Sequence, residues 1–259
     1  MKILKWLNIA TLLGTLTVNG LANGLPLNGR TTGSISDSFP VLFTPAGYVF
    51  SIWGLIYIGL IAFGIYQALP AQRDNQSLLK LGPWFAISNI LNAAWIFLWH
   101  YGYFTLTLVV MLGLLASLLI IFKVLHISAK PKSPRELWLV NIPFSIYLGW
   151  ISVATIANFS IALFNLGFSG GPLTQEFWTV AVILVATTLG LIMAWQQRQV
   201  AYPLVLLWAF IGIIVKQSAF MPVVIAAGIG AFAITAVVIA KTTSSLFTNG
   251  ASKKIAKVV

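Results

Sequence analysis

Eight times along its length the chain runs through a long, mostly apolar stretch, and that recurrence leaves few folds open. A helix that crosses the hydrocarbon core of a bilayer needs about 20 such residues. The stretches that fit are 4–22, 46–68, 82–100, 104–125, 139–165, 178–195, 201–215 and 220–240. The breaks between them are polar or rich in turn formers: Pro70 to Lys80, Lys130 to Glu136 with two prolines and four charges, and Gly167 to Thr174. The stretches are continuously apolar rather than ten-residue alternations, which argues against a β-barrel. The expected fold class is therefore all-α, a polytopic membrane helical bundle of eight spans.

Charge is scarce enough to support the same reading. Charged side chains make up 7% of 259 residues, against about 25% in a soluble globular domain. Such a chain cannot cover its surface in water, which excludes a soluble enzyme, a disordered tail and a nucleic-acid-binding domain. The lipid bilayer is an expected partner and nucleic acid is not. Of the fifteen Lys and Arg, thirteen fall at the termini and in the even-numbered connections, and only Arg30 and Lys216 fall on the other side. By the positive-inside rule both termini are expected in the cytoplasm, and a six- or seven-span count would break this alternation.

Residues 1–22 also resemble a cleavable signal peptide, with Lys2 and Lys5, an apolar core, and Gly20-Leu21-Ala22 before Asn23. The expectation is that they remain as the first span. There is no cysteine, hence no disulfide or thiolate chemistry. The two His and four acids are dispersed, so neither a metal site nor a catalytic residue is expected. A Schiff base on Lys216 would need an intramembrane counter-ion, yet Asp37, Asp74, Glu136 and Glu176 all fall in connections. Lys216 reads instead as a snorkelling residue at the end of a span. His100 and His126 fall at opposite membrane faces and read as interfacial. Trp6, Trp84, Trp178 and Trp195 stand at span ends, where an aromatic belt is expected. Lys253, Lys254 and Lys257 in the tail read as an orientation signal.

Three spans carry more than hydrophobicity. The second opens with Thr44-Pro45-Ala46-Gly47, and a proline is expected at the first turn of a helix. In it Phe50, Trp53 and Tyr57 share one face. The third places Asn89, Asn92, Trp95 and Trp99 on one face. The fifth is the most orderly, with Pro143, Tyr147, Trp150, Ala154, Asn158, Ile161 and Asn165 at steps of three and four. A mid-membrane Asn is costly without a partner, so these stripes should face the bundle interior. Two readings stand side by side: amides that bind helix to helix, and an aromatic cavity with a few polar groups, the usual composition of a small-ligand site.

At these positions the chain resembles the tryptophan-rich sensory protein family, TspO/MBR, whose mitochondrial members are the translocator proteins. The second helix of that family carries proline, an aromatic, Val-Trp and Tyr; here stand Pro45, Phe50, Ile52-Trp53 and Tyr57. The third carries Gln, Leu-Asn and Trp; here stand Asn89, Leu91-Asn92 and Trp95. The spacing of the fifth is reproduced by Pro143, Trp150, Ala154, Asn158, Ile161 and Asn165. The resemblance covers residues 1–166. The chain departs from it in having no Trp in the loop Asn23 to Ala46, one proline before the second helix, and three further spans.

The resemblance implies a five-helix ligand-binding domain over 1–166, with three additional helices over 175–241 and a basic tail over 242–259. It also implies a cavity between helices 2, 3 and 5, closed by the loop after helix 1. The expected ligand residues are Phe50, Trp53, Tyr57, Asn92, Trp95, Tyr147, Trp150, Ala154 and Asn158. Members bind porphyrins and haem-like tetrapyrroles, and some bind sterols. The expected function is thus a receptor or carrier for a flat hydrophobic ligand, with a porphyrin or haem as ligand and no required cofactor. At most it would promote light-dependent porphyrin breakdown. A bacterial-type inner membrane is the expected location, and some members dimerise, which leaves a homodimer open. The alternatives are a secondary transporter that uses the extra helices, or a structural scaffold.

Overall fold

The computed structural model describes residues 2–125, 127, 133–168, 170–195 and 200–255, with side chains between residues 3 and 243. The described chain is helical throughout and contains no strand. Its eight long helices follow the eight apolar stretches: α1 Lys2–Gly24, α2 Ile52–Ala68, α3 Trp84–His100, α4 Phe104–Val124, α5 Ile142–Asn165, α6 Gln175–Trp195, α7 Ala201–Lys216 and α8 Met221–Ile255. Helix α8 thus continues through most of the segment read as a tail.

Among the described residues, five segments are long and apolar enough to cross a membrane: Gly47–Ala68, Phe104–Val124, Pro134–Asn165, Gln175–Trp195 and Met221–Thr243. The other three helices fall short of that measure for visible reasons. Helices α3 and α7 have 17 and 16 residues, about 25 Å at 1.5 Å per residue. Helix α1 carries Asn8, Thr11, Thr15 and Asn19 at steps of three and four. Those side chains are turned toward α2 and α3, where the Asn8 amide donates to Gln67 Oε1 at 3.1 Å and the Thr15 hydroxyl to the Asn89 carbonyl at 2.8 Å.

Helices α1 to α5 close a ring, in which α1 packs on α3, α3 on α4, α4 on α5, α5 on α2, and α2 back on α1. Phe63, Phe85 and Phe144 fill its interior as an edge-to-face trio with centroids 4.7 to 5.8 Å apart, the arrangement ring quadrupoles favour. Helices α6, α7 and α8 pack on one another, and α7 joins them to the ring by lying along α5. The close approach is set by Gly149 of α5, where an added Cβ would stand 3.0 Å from the Tyr202 carbonyl and 3.1 Å from Val205 Cβ. Small residues let membrane helices gain van der Waals contact in this way.

Two helix starts differ from expectation. Pro45 stands before a 3₁₀ turn, Gly47–Ser51, and not within the first turn of α2. The entry to α5 is a π-helical turn, Leu137–Asn141, directly ahead of Pro143. Proline has no N–H to return to the preceding turn, so the backbone there widens.

Candidate functional site between the aromatic stripes

The helices bring the three stripes to one end of the ring. Trp53 is the hub: it stacks on Tyr57 at 5.4 Å and meets Tyr147 at 6.0 Å and Trp150 at 6.2 Å, both edge-on. Phe50 meets Trp150 edge-on at 5.6 Å, and Trp95 stacks on Trp99 at 5.2 Å. Trp53, Trp95, Tyr147, Trp150, Asn92 and Asn158 are buried; Phe50, Tyr57 and Ala154 are half-buried. Asn165, the last residue of the fifth-span stripe, is exposed and lies outside the cluster.

The amides divide their two ends between the two readings of the stripes. Their nitrogens hold helices together: Asn19 donates to Asn92 Oδ1 at 2.8 Å, Asn92 to Tyr147 Oη at 3.0 Å, and Asn158 to Thr107 Oγ1 at 3.0 Å. The Asn89 amide likewise donates to Thr11 at 3.3 Å, so it belongs to the α1 contact and not to the aromatic cluster. Other polar atoms in the cluster are buried without a protein partner: Trp95 Nε1, Trp150 Nε1 and Asn158 Oδ1. Nearly all buried polar groups in proteins are satisfied by protein or water. Three such atoms lie around this aromatic wall, and others lie along the contacts of α1, at Asn8, Gln67 and Asn89.

Two cavities meet at that wall. The inner one, walled by Trp95, Trp150 and Asn158 together with Ser36 and Pro45, has a volume of about 30 Å³. It has room for a single water, not for a macrocycle. The outer one measures about 540 Å³ and lies between α1, α2 and the connection joining them, with Asn19, Gly20, Gly54 and Tyr57 in its lining. Phe50 and Trp53 line both, so they form the partition. The larger space thus lies on the α1 side of Trp53, whereas between helices 2, 3 and 5 the packed rings leave about 30 Å³.

The connection from α1 to α2 covers this end of the ring. Trp99 Nε1 donates to the Thr32 carbonyl at 3.2 Å, Asn28 donates to the His100 carbonyl at 3.0 Å, and Phe39 packs edge-on against Phe104 at 4.8 Å. These contacts put the C-terminal ends of α1 and α3 and the start of α4 at one end of the molecule.

Several residues read as peripheral are tied into the structure. His100, the last residue of α3, is buried, with Nδ1 2.8 Å from the Ile96 carbonyl; His126 lies outside the described residues. Lys216 ends α7, and its ammonium pairs with Asp37 at 2.5 Å and donates to Thr44 at 3.0 Å. Trp6 and Trp195 are exposed as a belt requires, and Lys241 lies over the Trp195 ring at 3.8 Å. Trp178 is partly held, donating to the Gly170 carbonyl at 2.9 Å. The amide and hydroxyl ladder of α1 is a part of the site that the stripes of the other spans do not reveal, although its three- and four-residue steps are present in the sequence.

The chain matches no curated protein and no solved structure. The sequence model of the family described as TSPO-like protein matches residues 5–240. That match begins in α1, takes in every aromatic and amide residue of the cluster, and runs on through the C-terminal helices into α8. This integral membrane protein belongs to the TSPO-like family.

Proposed function

We propose that this protein is a membrane receptor or carrier for a flat hydrophobic ligand of the tetrapyrrole type. The observation that carries the reading is the aromatic partition of Phe50 and Trp53, which faces a cavity of about 540 Å³ and is backed by orphaned indole and amide atoms. Small-ligand sites are concave, mostly apolar, and bear a few convergent polar groups, at volumes of about 300–1,000 Å³. In this reading the macrocycle lies on the α1 side against Phe50, Trp53 and Tyr57, and Asn19 stands at its edge. Trp150 and Tyr147 form the second rank that fixes the Trp53 ring. Trp95, Ala154 and Asn158 surround the inner cavity and hold the water or polar substituent that completes the orphaned atoms. Ring stacking adds about 0.5–1.5 kcal/mol per pair beyond burial, so the exposed wall contributes orientation as well as affinity. In this reading the membrane is a bacterial-type inner membrane with both termini on its cytoplasmic side, an orientation that the distribution of Lys and Arg supports.

The test is a protoporphyrin titration of the detergent-purified chain followed by porphyrin absorbance, since ten tryptophans would blur protein fluorescence. Its companion is Gly54→Phe. Gly54 lines the outer cavity, and a Cβ there meets nothing within 4 Å, so the side chain can branch into that space. Saturable binding that Gly54→Phe abolishes is the expected result. A folded parent that shows no saturable binding removes the tetrapyrrole from the proposal.

A further inference from the structure

The C-terminal helices reach the ligand end of the ring through a set of contacts between α7 and residues 37–49. Lys216 pairs with Asp37 and donates to Thr44 Oγ1. Gln217 Nε2 donates to the Thr44 carbonyl at 3.4 Å, and the Ala46 N–H donates to the Gly212 carbonyl at 3.1 Å. Trp208 Nε1 donates to the Val49 carbonyl at 3.1 Å while its ring meets Tyr48 edge-on at 5.4 Å. Gly212 allows the approach: an added Cβ would collide with Val49 Cγ2 and stand 3.0 Å from Pro45 Cβ.

The segment so held is the one that closes the site. Within it Pro45 walls the inner cavity and Gly47 the outer one, and its two flanking residues, Ser36 and Phe50, line the inner cavity and both cavities respectively. We propose that α7 clamps residues 37–49 over the aromatic site, with Lys216 and Gly212 as positioning residues, so that the three C-terminal helices set how readily the site opens. The placement of Lys216 fits this assignment. It is one of two basic residues on the sparsely charged side of the molecule, and the acid it meets belongs to the covering segment. The closure stands on the geometry alone; its consequence for a ligand rests on the function proposed above.

The chain has no cysteine, so Ser36→Cys introduces a single thiol at a buried position in the wall of the inner cavity, directly ahead of the clamped segment. The full-length protein carrying it is reacted with a soluble maleimide, alone and together with Lys216→Met, Lys216→Arg or Gly212→Ala. The parent thiol should react slowly. Lys216→Met should raise the rate by up to about fivefold, the range available to a partly exposed ion pair. Gly212→Ala should raise it as well, through the stiff Val49 side chain, and Lys216→Arg should keep it slow. A fast parent, or a Lys216→Met rate equal to the parent's in folded protein, overturns the clamp. Protoporphyrin titrations of the same variants separate the two ideas. Changed rates without porphyrin binding in any variant leave the clamp and remove the ligand; binding with unchanged rates does the reverse.

Discussion

Asn92 stands where three helices meet, accepting from Asn19 of α1 and donating to Tyr147 of α5. An interhelical hydrogen bond in a membrane protein is worth about 0.6 kcal/mol on average and up to about 1.7. Asn92→Leu breaks two of them and leaves the Tyr147 hydroxyl buried without that partner, while the Asn19 amide keeps its bond to the Thr15 carbonyl at 2.9 Å. A loss of about 1–3 kcal/mol is expected, read as a lower thermal midpoint in detergent, and an unchanged midpoint would mean that the amide is not a structural tie. The tryptophans differ by position. Trp53 faces the outer cavity and Trp150 does not, so Trp53→Phe should weaken protoporphyrin binding several-fold and Trp150→Phe by less. The opposite ranking in titration would move the ligand to the inner side of the partition. This difference was not legible in the stripes, because both residues occupy inward faces of their helices and only packing decides which of them meets space.

Each helix of the ring owes its inward face to a spacing visible in the sequence, yet the pairing of faces follows from residue size at the crossings. Helix α7 settles against α5 at Gly149, whose missing side chain leaves room for the Tyr202 backbone. Gly149→Leu must push the two helices apart or distort both. Overpacking of this kind costs about 1–3 kcal/mol, so the thermal midpoint should fall, whereas Gly54→Leu should leave it in place because nothing lies within 4 Å of the added carbon. Equal midpoints for the two variants would show that α7 does not depend on that close approach. Helix α1 makes the complementary point. Its polar ladder lowers its hydropathy below that of a typical span, and the same residues become an advantage once α2 and α3 supply partners such as Gln67 and Asn89.

At the scale of the molecule, the ring of five helices and the group of three share one end, where the α1–α2 connection meets α7. Eight alternating helices require the α1–α2 and α2–α3 connections to lie on opposite sides of the membrane. Ser38 and Gln76 are exposed residues of these two connections, so single-cysteine variants at each should react with an impermeant maleimide from opposite faces, Gln76→Cys from the cytoplasmic one. Labelling of both from the same face would overturn the alternation. The amino-acid sequence alone determined the solvent this protein folds in, the helical class, the number and approximate places of its long helices, and most of the aromatic and amide residues that turn inward. These are consequences of local apolarity and of the 3.6-residue period, which any helix expresses wherever it is placed. The tertiary structure decided which side of Trp53 stays open, which ends of the amides remain unpaired, and that Lys216 belongs to Asp37, 179 residues away. Those depend on volumes and distances between segments remote in the chain, and no periodicity within one segment encodes them.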